Sequence, residues 1–315
     1  KRQMQMAQEL RFNEDGNIKI MQLTDLHFTN DDEADHKTVE LVRQALRDEK
    51  PDFVIVTGDM VYGEHNLEFL PKVFAPLTEG DCPWTFVFGN HDSEWGHSRK
   101  ELLEAGMKLK GCIASHDGAS IDGVGNHVIE IKNKNNETKW AIFAIDSGDY
   151  FPCEKIGGYA CITRNQIDWY QAKIRELESK HKDFSALAFQ HIAVPEHQEV
   201  FKYEKCYGVK REGSGAPRLN SGFFYALIEA GHTKGLFVGH DHANDYYGNL
   251  YGITLGYGRA GGYGTYGAPD HMKGARLFVL NENNTESFET YVYLENGTVI
   301  KEPWCYEPLC RRDEA

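Results

Sequence analysis

Asp52-Phe53-Val54-Ile55-Val56-Thr57-Gly58-Asp59 carries the first decision about architecture. Residues 52–57 form an unbroken apolar run, the pattern of a strand buried on both faces and covered by further layers on each side. The run stops at a glycine and an aspartate. Four other segments on either side repeat this arrangement. Residues 18–24 stop at Asp25-Leu26-His27, 85–88 at Gly89-Asn90-His91-Asp92, 185–190 at Gln190-His191, and 235–238 at Gly239-His240-Asp241-His242. Helical spacing separates them. An apolar stripe through Val39, Leu41, Val42, Ala45 and Leu46 predicts a helix over 37–48. Ser98 is the N-cap of a helix over 98–110, and Thr163 of a longer one over 163–180. Residues 66–77 are a poorer helix, broken by Pro71 and Pro76. The polar segment 133–138 reads as a hairpin turn between strands 127–132 and 139–145, and strands at 250–255, 275–280 and 289–294 complete the set.

The chain is 315 residues long, 41 % hydrophobic and 26 % charged, which is globular composition. We expect one domain over 1–315, with a core at about 18–295 and a C-terminal extension at 296–315. No apolar run approaches the roughly 18 residues of a membrane span. Thirty-four basic against 48 acidic side chains give a net charge of −14, which argues against bulk binding to nucleic acid or anionic membrane. The seven cysteines form no CxxC pair, so a zinc ribbon has no support. Cys153 with Cys161 and Cys305 with Cys310 are spaced for local disulfides or stand as separate thiols. The chain starts at Lys1-Arg2 without methionine and carries sequons at Asn136, Asn283 and Asn296; together these favour a secreted or extracytoplasmic location.

Ligands of open α/β sheets gather at the carboxyl ends of strands, so the five termini are expected to converge. Their Asp, His and Asn side chains offer oxygen and imidazole donors suited to zinc, manganese or iron. Gly58, Gly89 and Gly239 are expected to provide the exit turns that aim them. The Gly-rich segment 256–267 is a loop that brings Arg259 and three tyrosines, Tyr263 among them, toward a pocket, or is a relaxed backbone and nothing more. The nine histidines outside the five motifs are expected mostly at the surface, with His65 and His97 as candidates to line the pocket. Asp241 is expected to hydrogen-bond locally, and Asn244 and Asp245 to brace the ligand loop.

In order, the pattern DxH…GDxxY…GNHD…H…GHDH resembles the calcineurin-like metallophosphoesterase superfamily, over about residues 18–267. Gln190-His191-Ile192-Ala193-Val194-Pro195-Glu196 and Gly239-His240-Asp241-His242-Ala243-Asn244-Asp245 are most similar to its Dcr2-like, purple acid phosphatase-like branch. The resemblance implies a four-layer α/β sandwich, two packed mixed sheets flanked by helices. It also implies two metal ions (Fe, Mn or Zn) bridged by Asp59, one held by Asp25, His27 and His242 and the other by Asn90, His191 and His240. Two such ions about 3.5–4 Å apart activate a bridging hydroxide for in-line attack on phosphorus. His91 corresponds to the residue that contacts phosphate or protonates the leaving oxygen, with Asp92 orienting it; Asn90, Arg259 and Tyr263 are further candidates for phosphate contact. Purple acid phosphatases usually have DxG in the first motif and bind iron through the tyrosine of GDxxY. Here His27 and Tyr62 are both present, and His27 is preferred as ligand.

The resemblance therefore implies a hydrolase of phosphate esters, most simply a phosphomonoesterase acting on a small molecule or a phosphoprotein. A phosphodiesterase for a small nucleotide or lipid, and a noncatalytic metal-binding module, are the alternatives. No Lys/Arg cluster suggests a nucleic-acid groove.

Overall fold

The computed structural model describes residues 9–308. Three apolar clusters explain the layering. One lies between two sheets and joins Ile18, Ile20, Phe53 and Ile55 to Ile142, Leu187, Phe189 and Phe237. A second packs the other face of the first sheet, through Met21, Leu23, Val54 and Val56, on helices Glu33–Glu49, Asn66–Val73 and Arg99–Gly106. A third packs Phe143, Ala186, Ala188 and Leu236 of the other sheet on helices Arg164–Lys180 and Phe223–Ala230. Helix, sheet, sheet, helix is the four-layer sandwich that the apolar runs and the resemblance led us to expect. Each central strand buries both faces because each sheet is covered twice.

The smaller sheet has six strands, in the order Val299–Ile300, Asn284–Leu294, Gly274–Asn281, Asn17–Leu23, Phe53–Thr57, Trp84–Val87. Its last three strands run parallel. In the nine-stranded sheet, Thr138–Ala144, Ser185–Phe189, Thr233–Val238 and Ile253–Tyr257 are parallel neighbours in that order. The parallel strands of both sheets thus deliver their carboxyl ends to one edge.

Local signals account for most helix ends. Asp32 caps Glu33–Glu49 in a capping box with Asp35, so this helix starts four residues before its apolar stripe suggested. Ser98 caps Arg99–Gly106 through the Glu101 N–H. Residues 66–77 are two short helices, Asn66–Val73 and Ala75–Glu79.

Three expectations need correction. Residues 250–255 are not one strand: Tyr251 and Gly252, both at positive φ, form a turn between Tyr247–Leu250 and Ile253–Tyr257. Cys153 and Cys161 are free thiols; Cys305 is also free, and Cys310 lies outside the described residues. His127, His197 and His271 are buried, not at the surface.

Candidate metal centre

The residues that leave the strands do so in strained backbone. Asp25, His27, Asp59 and His240 have φ of 53°, 45°, 50° and 74°. This left-handed region costs a residue with a Cβ about 1 kcal/mol or more, and it persists only where neighbours fix it. The Asp25 N–H donates to the Gly58 carbonyl at 3.0 Å and the His27 N–H to that of Asp59 at 2.9 Å, tying the first motif to the second. Glycine is used in two ways. Gly58 does turn, at φ 88°. Gly89 and Gly239 are there for close approach: a Cβ would stand 2.1 Å from Asp59 Oδ1 and 2.0 Å from Thr24 Oγ1, respectively.

Two buried groups result, Asp25–His27–Asp59–His242 and Asp59–His191–His240, each with its ligand atoms within 4.8 Å of one another. Asp59 belongs to both. His27 Nε2 and His191 Nε2 stand 3.4 and 3.1 Å from Asp59 Oδ2, and His242 Nε2 is 3.2 Å from Asp25 Oδ1. His191 Nδ1 donates to the Thr57 carbonyl at 2.8 Å, which fixes the tautomer and leaves Nε2 as the ligand atom. His27 Nε2, Asp59 Oδ2, Asn90 Oδ1 and His191 Nε2 are all buried without a hydrogen-bond partner among the described residues. One such atom costs about 1–3 kcal/mol. Four in one place fit cations bound between them, and a donor set of imidazole and oxygen without thiolate fits zinc, manganese or iron.

Electrostatics agree. Burial opposes charge on Asp25, yet His242 and His191 hold its carboxyl at about 2. Burial opposes charge on His191 too, but Asp59 and Asp25 raise it to about 9. His240 goes the other way, to about 3, through burial and the charge on His191. The centre keeps its carboxylates ionised and draws positive charge toward them.

The Tyr62 ring lies beside this group, 5.9 Å from that of His27 and 4.8 Å from that of His91. The His91 N–H donates to Asp59 Oδ1 at 2.9 Å, and its ring lines the cleft above the cluster. Its carboxylate partner is not Asp92. Asp92 is fully buried and accepts the N–H groups of Asp59, Met60, Val61 and Gly89 at 2.7–3.0 Å, knitting the second and third motifs together. Glu94, three residues after His91, meets its Nδ1 at 2.5 Å with Oε2 and accepts the Tyr150 hydroxyl with Oε1 at 2.9 Å. That i+3 spacing was the signal to find it.

Arg259 and Tyr263 also leave the phosphate-contact set. Arg259 is buried and donates to Asp245 Oδ2 at 2.6 Å and the Met272 carbonyl at 2.7 Å. The Tyr263 N–H donates to Thr38 Oγ1 at 3.0 Å, and its hydroxyl to Glu295. Neither lines the cleft. It has a volume of about 340 Å³ and is walled by Tyr159, Glu212, Asp241 and Tyr266 as well as by His91 and Asp59. The Tyr266 ring stacks 4.1 Å from that of His242 and its hydroxyl donates to Glu212 at 2.8 Å, while the Tyr159 ring lies 4.2 Å from that of His240. Asp241, Asn244 and Asp245 accept backbone N–H groups of Gly215, Arg211, Glu212 and Val209, clamping that distant segment to the ligand loop. The bonds of Asp241 are therefore long-range, not local.

Comparison with known proteins places this geometry. At 31 % identity the chain is similar to "Probable inactive purple acid phosphatase 29" of Arabidopsis thaliana (87 % of this chain, 79 % of that one). It is also 31 % identical to "Phosphatase DCR2" of Saccharomyces cerevisiae (76 % of this chain, 46 % of that one). The fold is similar to that of a dimetal phosphatase from Danio rerio, with a TM-score of 0.54 and 14 % identity over 87 % of this chain and 98 % of that one. A family model described as calcineurin-like phosphoesterase matches residues 18–244, and the chain belongs to that family.

Proposed function

We propose that the protein is a metal-dependent phosphomonoesterase for a small phosphate ester. The observation that carries this reading is the pair of buried ligand groups sharing Asp59, with unpaired donor atoms from four of the five strand ends pointing into one space. Asp25, His27, Asp59 and His242 would hold one cation, and Asp59, Asn90, His191 and His240 the other. Bound there, the pair supplies charge against the phosphoryl oxygens and activates water for in-line attack.

The remaining work falls to the chain. Glu94 accepts Nδ1–H of His91 and so directs Nε2 toward the cleft, where it donates a proton or a hydrogen bond to the departing oxygen. Tyr150 holds Glu94 in turn. Asp92 keeps Asp59 and Asn90 in register by binding the amides of both loops. Among the described residues the cleft walls carry Glu212 and Asp241 and no Lys or Arg. Such walls disfavour a polyanionic backbone and leave room for a compact monoester. The Arabidopsis relative's name calls that protein inactive; in this chain all seven ligand positions and His91 are filled.

Metal-loaded protein assayed on p-nitrophenyl phosphate and on bis-p-nitrophenyl phosphate tests the reading. A higher kcat/KM on the monoester is the expected result. Preference for the diester would overturn it in favour of a phosphodiesterase. Two bound metals without turnover of either would leave a noncatalytic module.

A further inference from the structure

Behind the ligand loop, on the far side of Asp245, lies a second pocket of about 200 Å³. Its walls are mostly apolar, with Met272, Val292, Tyr291 and Trp304 among them, yet two buried guanidinium groups, Arg259 and Arg276, also line it. Of the carboxylates in hydrogen-bond contact with either arginine, Asp245 is the one present among the described residues, and it binds Arg259 Nη1. Arg276 instead donates to neutral acceptors: the carbonyls of Tyr257 and Asp245, and Thr290 Oγ1. At the mouth Arg211 and Asp270 neutralise each other through two contacts of 2.7 and 2.9 Å. The interior therefore holds one positive charge more than its hydrogen-bonded partners balance, beside a cavity. Burial lowers the pKa of both Arg259 and Arg276 from the usual value, which registers the cost of that surplus.

One edge of Arg259 is also unused. Nε and Nη1 are engaged, whereas Nη2 meets no acceptor among the described residues. Arg259 is 5 % exposed, and His271, which lines the same pocket, presents a buried Nε2 that has no hydrogen-bond partner among the described residues. An unpaired donor on a buried guanidinium normally finds an acceptor.

We propose that this pocket is a second ligand site, which takes a small organic carboxylate: the carboxylate pairs with the free edge of Arg259 and the apolar body lies against Tyr291 and Trp304. A carboxylate suits the site better than a phosphate does. One negative charge cancels the surplus and one carboxylate oxygen suffices for Arg259 Nη2, whereas a phosphate dianion would leave a second charge unbalanced among mostly apolar walls. A volume of about 200 Å³ admits a ligand of benzoate size, since dry cavities of about 150 Å³ hold benzene. Because Asp245 binds Arg259 and also holds Val209, the site touches the loop that carries His242 without sharing the metal cleft.

The test is a ¹⁹F NMR titration of metal-loaded protein with 4-fluorobenzoate, run with the metal centre saturated by inorganic phosphate, beside the uncharged isostere 4-fluorobenzamide. We expect saturable binding of the carboxylate below 10 mM and at least tenfold weaker binding of the amide. Val209→Phe, which fills the pocket without replacing an arginine, should weaken carboxylate binding at least tenfold, whereas Arg259→Ala risks the fold. Equal binding of the two probes, no binding of the carboxylate up to 10 mM, displacement by phosphate, or indifference to Val209→Phe would each overturn the proposal.

Discussion

The floor of the cleft and its rim are built on different terms. The floor consists of side chains placed two to four residues beyond parallel strands, buried, and fixed by left-handed backbone and main-chain hydrogen bonds. The rim consists of Tyr159, Glu212 and Tyr266, on segments outside the helices and main strands that reach the floor from distant parts of the chain. The floor can act only as a rigid ligand set, since every donor is held by the sheet behind it. The rim can change partners without disturbing the sandwich. Chemistry should therefore follow the floor and selectivity the rim.

The sharpest way to break this division is to compare Asp59→Asn with His91→Ala. Asp59 is the one residue common to both ligand groups, so Asp59→Asn should lose both cations and reduce turnover by more than about 1,000-fold. His91 holds no position in either group, so His91→Ala should keep its metals and lose roughly 10²–10⁴ in rate. Metal stoichiometry by elemental analysis, alongside kcat, separates the two. Loss of metal from His91→Ala would place it in the floor as a ligand.

A smaller effect tests the carboxylates that follow His91. Glu94→Gln should cost about 10- to 100-fold in kcat with Tm unchanged, because it loosens the imidazole while its remaining oxygen still accepts the Tyr150 hydroxyl. Asp92→Asn should lower Tm and metal content together, because its carboxylate accepts four amides that an Asn side chain cannot all satisfy. The reverse pattern would restore Asp92 as the partner of His91.

The same division explains what the sequence made legible. Strand ends can be read because an apolar run, a stop and a donor are contiguous, as at Val56-Thr57-Gly58-Asp59. That each sheet is covered on both faces followed from the same runs, whereas the pairing of two sheets into four layers came from the family resemblance. Helices Glu196–Tyr203 and Phe223–Ala230 passed unnoticed because each is short and lacks a side-chain cap. The rim was illegible for another reason. Tyr263 and Tyr266 are three residues apart in one Gly-rich loop, and only packing against Thr38 and Glu295 on one side, and His242 and Glu212 on the other, decides which faces the cleft. The role of Asp92 is illegible from adjacency, because the turn sends neighbouring side chains apart, Asp92 to the backbone amides and His91 to Glu94.

Selectivity at the rim should accordingly respond to Tyr266 and not to Tyr263. Tyr266→Ala removes a ring stacked on His242 and should raise KM for an aryl phosphate a few-fold, about 1 kcal/mol, with kcat nearly unchanged. Tyr263→Phe should leave KM as it is and cost about 1 kcal/mol of stability through the lost bond to Glu295. Steady-state kinetics and thermal melts of both variants check this, and equal KM shifts would erase the distinction between the tyrosines.

The last expected effect, silent near neutral pH, concerns the core beneath the floor. His197, fully buried on helix Glu196–Tyr203, has neither ring nitrogen hydrogen-bonded among the described residues and packs 5.2 Å from the Tyr257 ring. Burial pushes its pKa from 6.5 down to about 4. Above pH 6.5 it is neutral in both folded and unfolded chains and contributes no pH dependence. Below 6.5 the unfolded chain takes up a proton that the folded chain refuses, so stability falls as pH drops, until the folded form is protonated too near pH 4. The loss should be about 1 kcal/mol by pH 5.5 and about 3 kcal/mol in all. Denaturant melts between pH 7 and 4 measure it, and His197→Phe, which keeps a ring against Tyr257 but cannot titrate, should flatten that part of the profile. The floor rests on this core, so metal retention should weaken over the same pH range in the native protein and less in His197→Phe. If the two proteins lose stability in parallel, the acid sensitivity arises at the cleft itself and not in the packing below it.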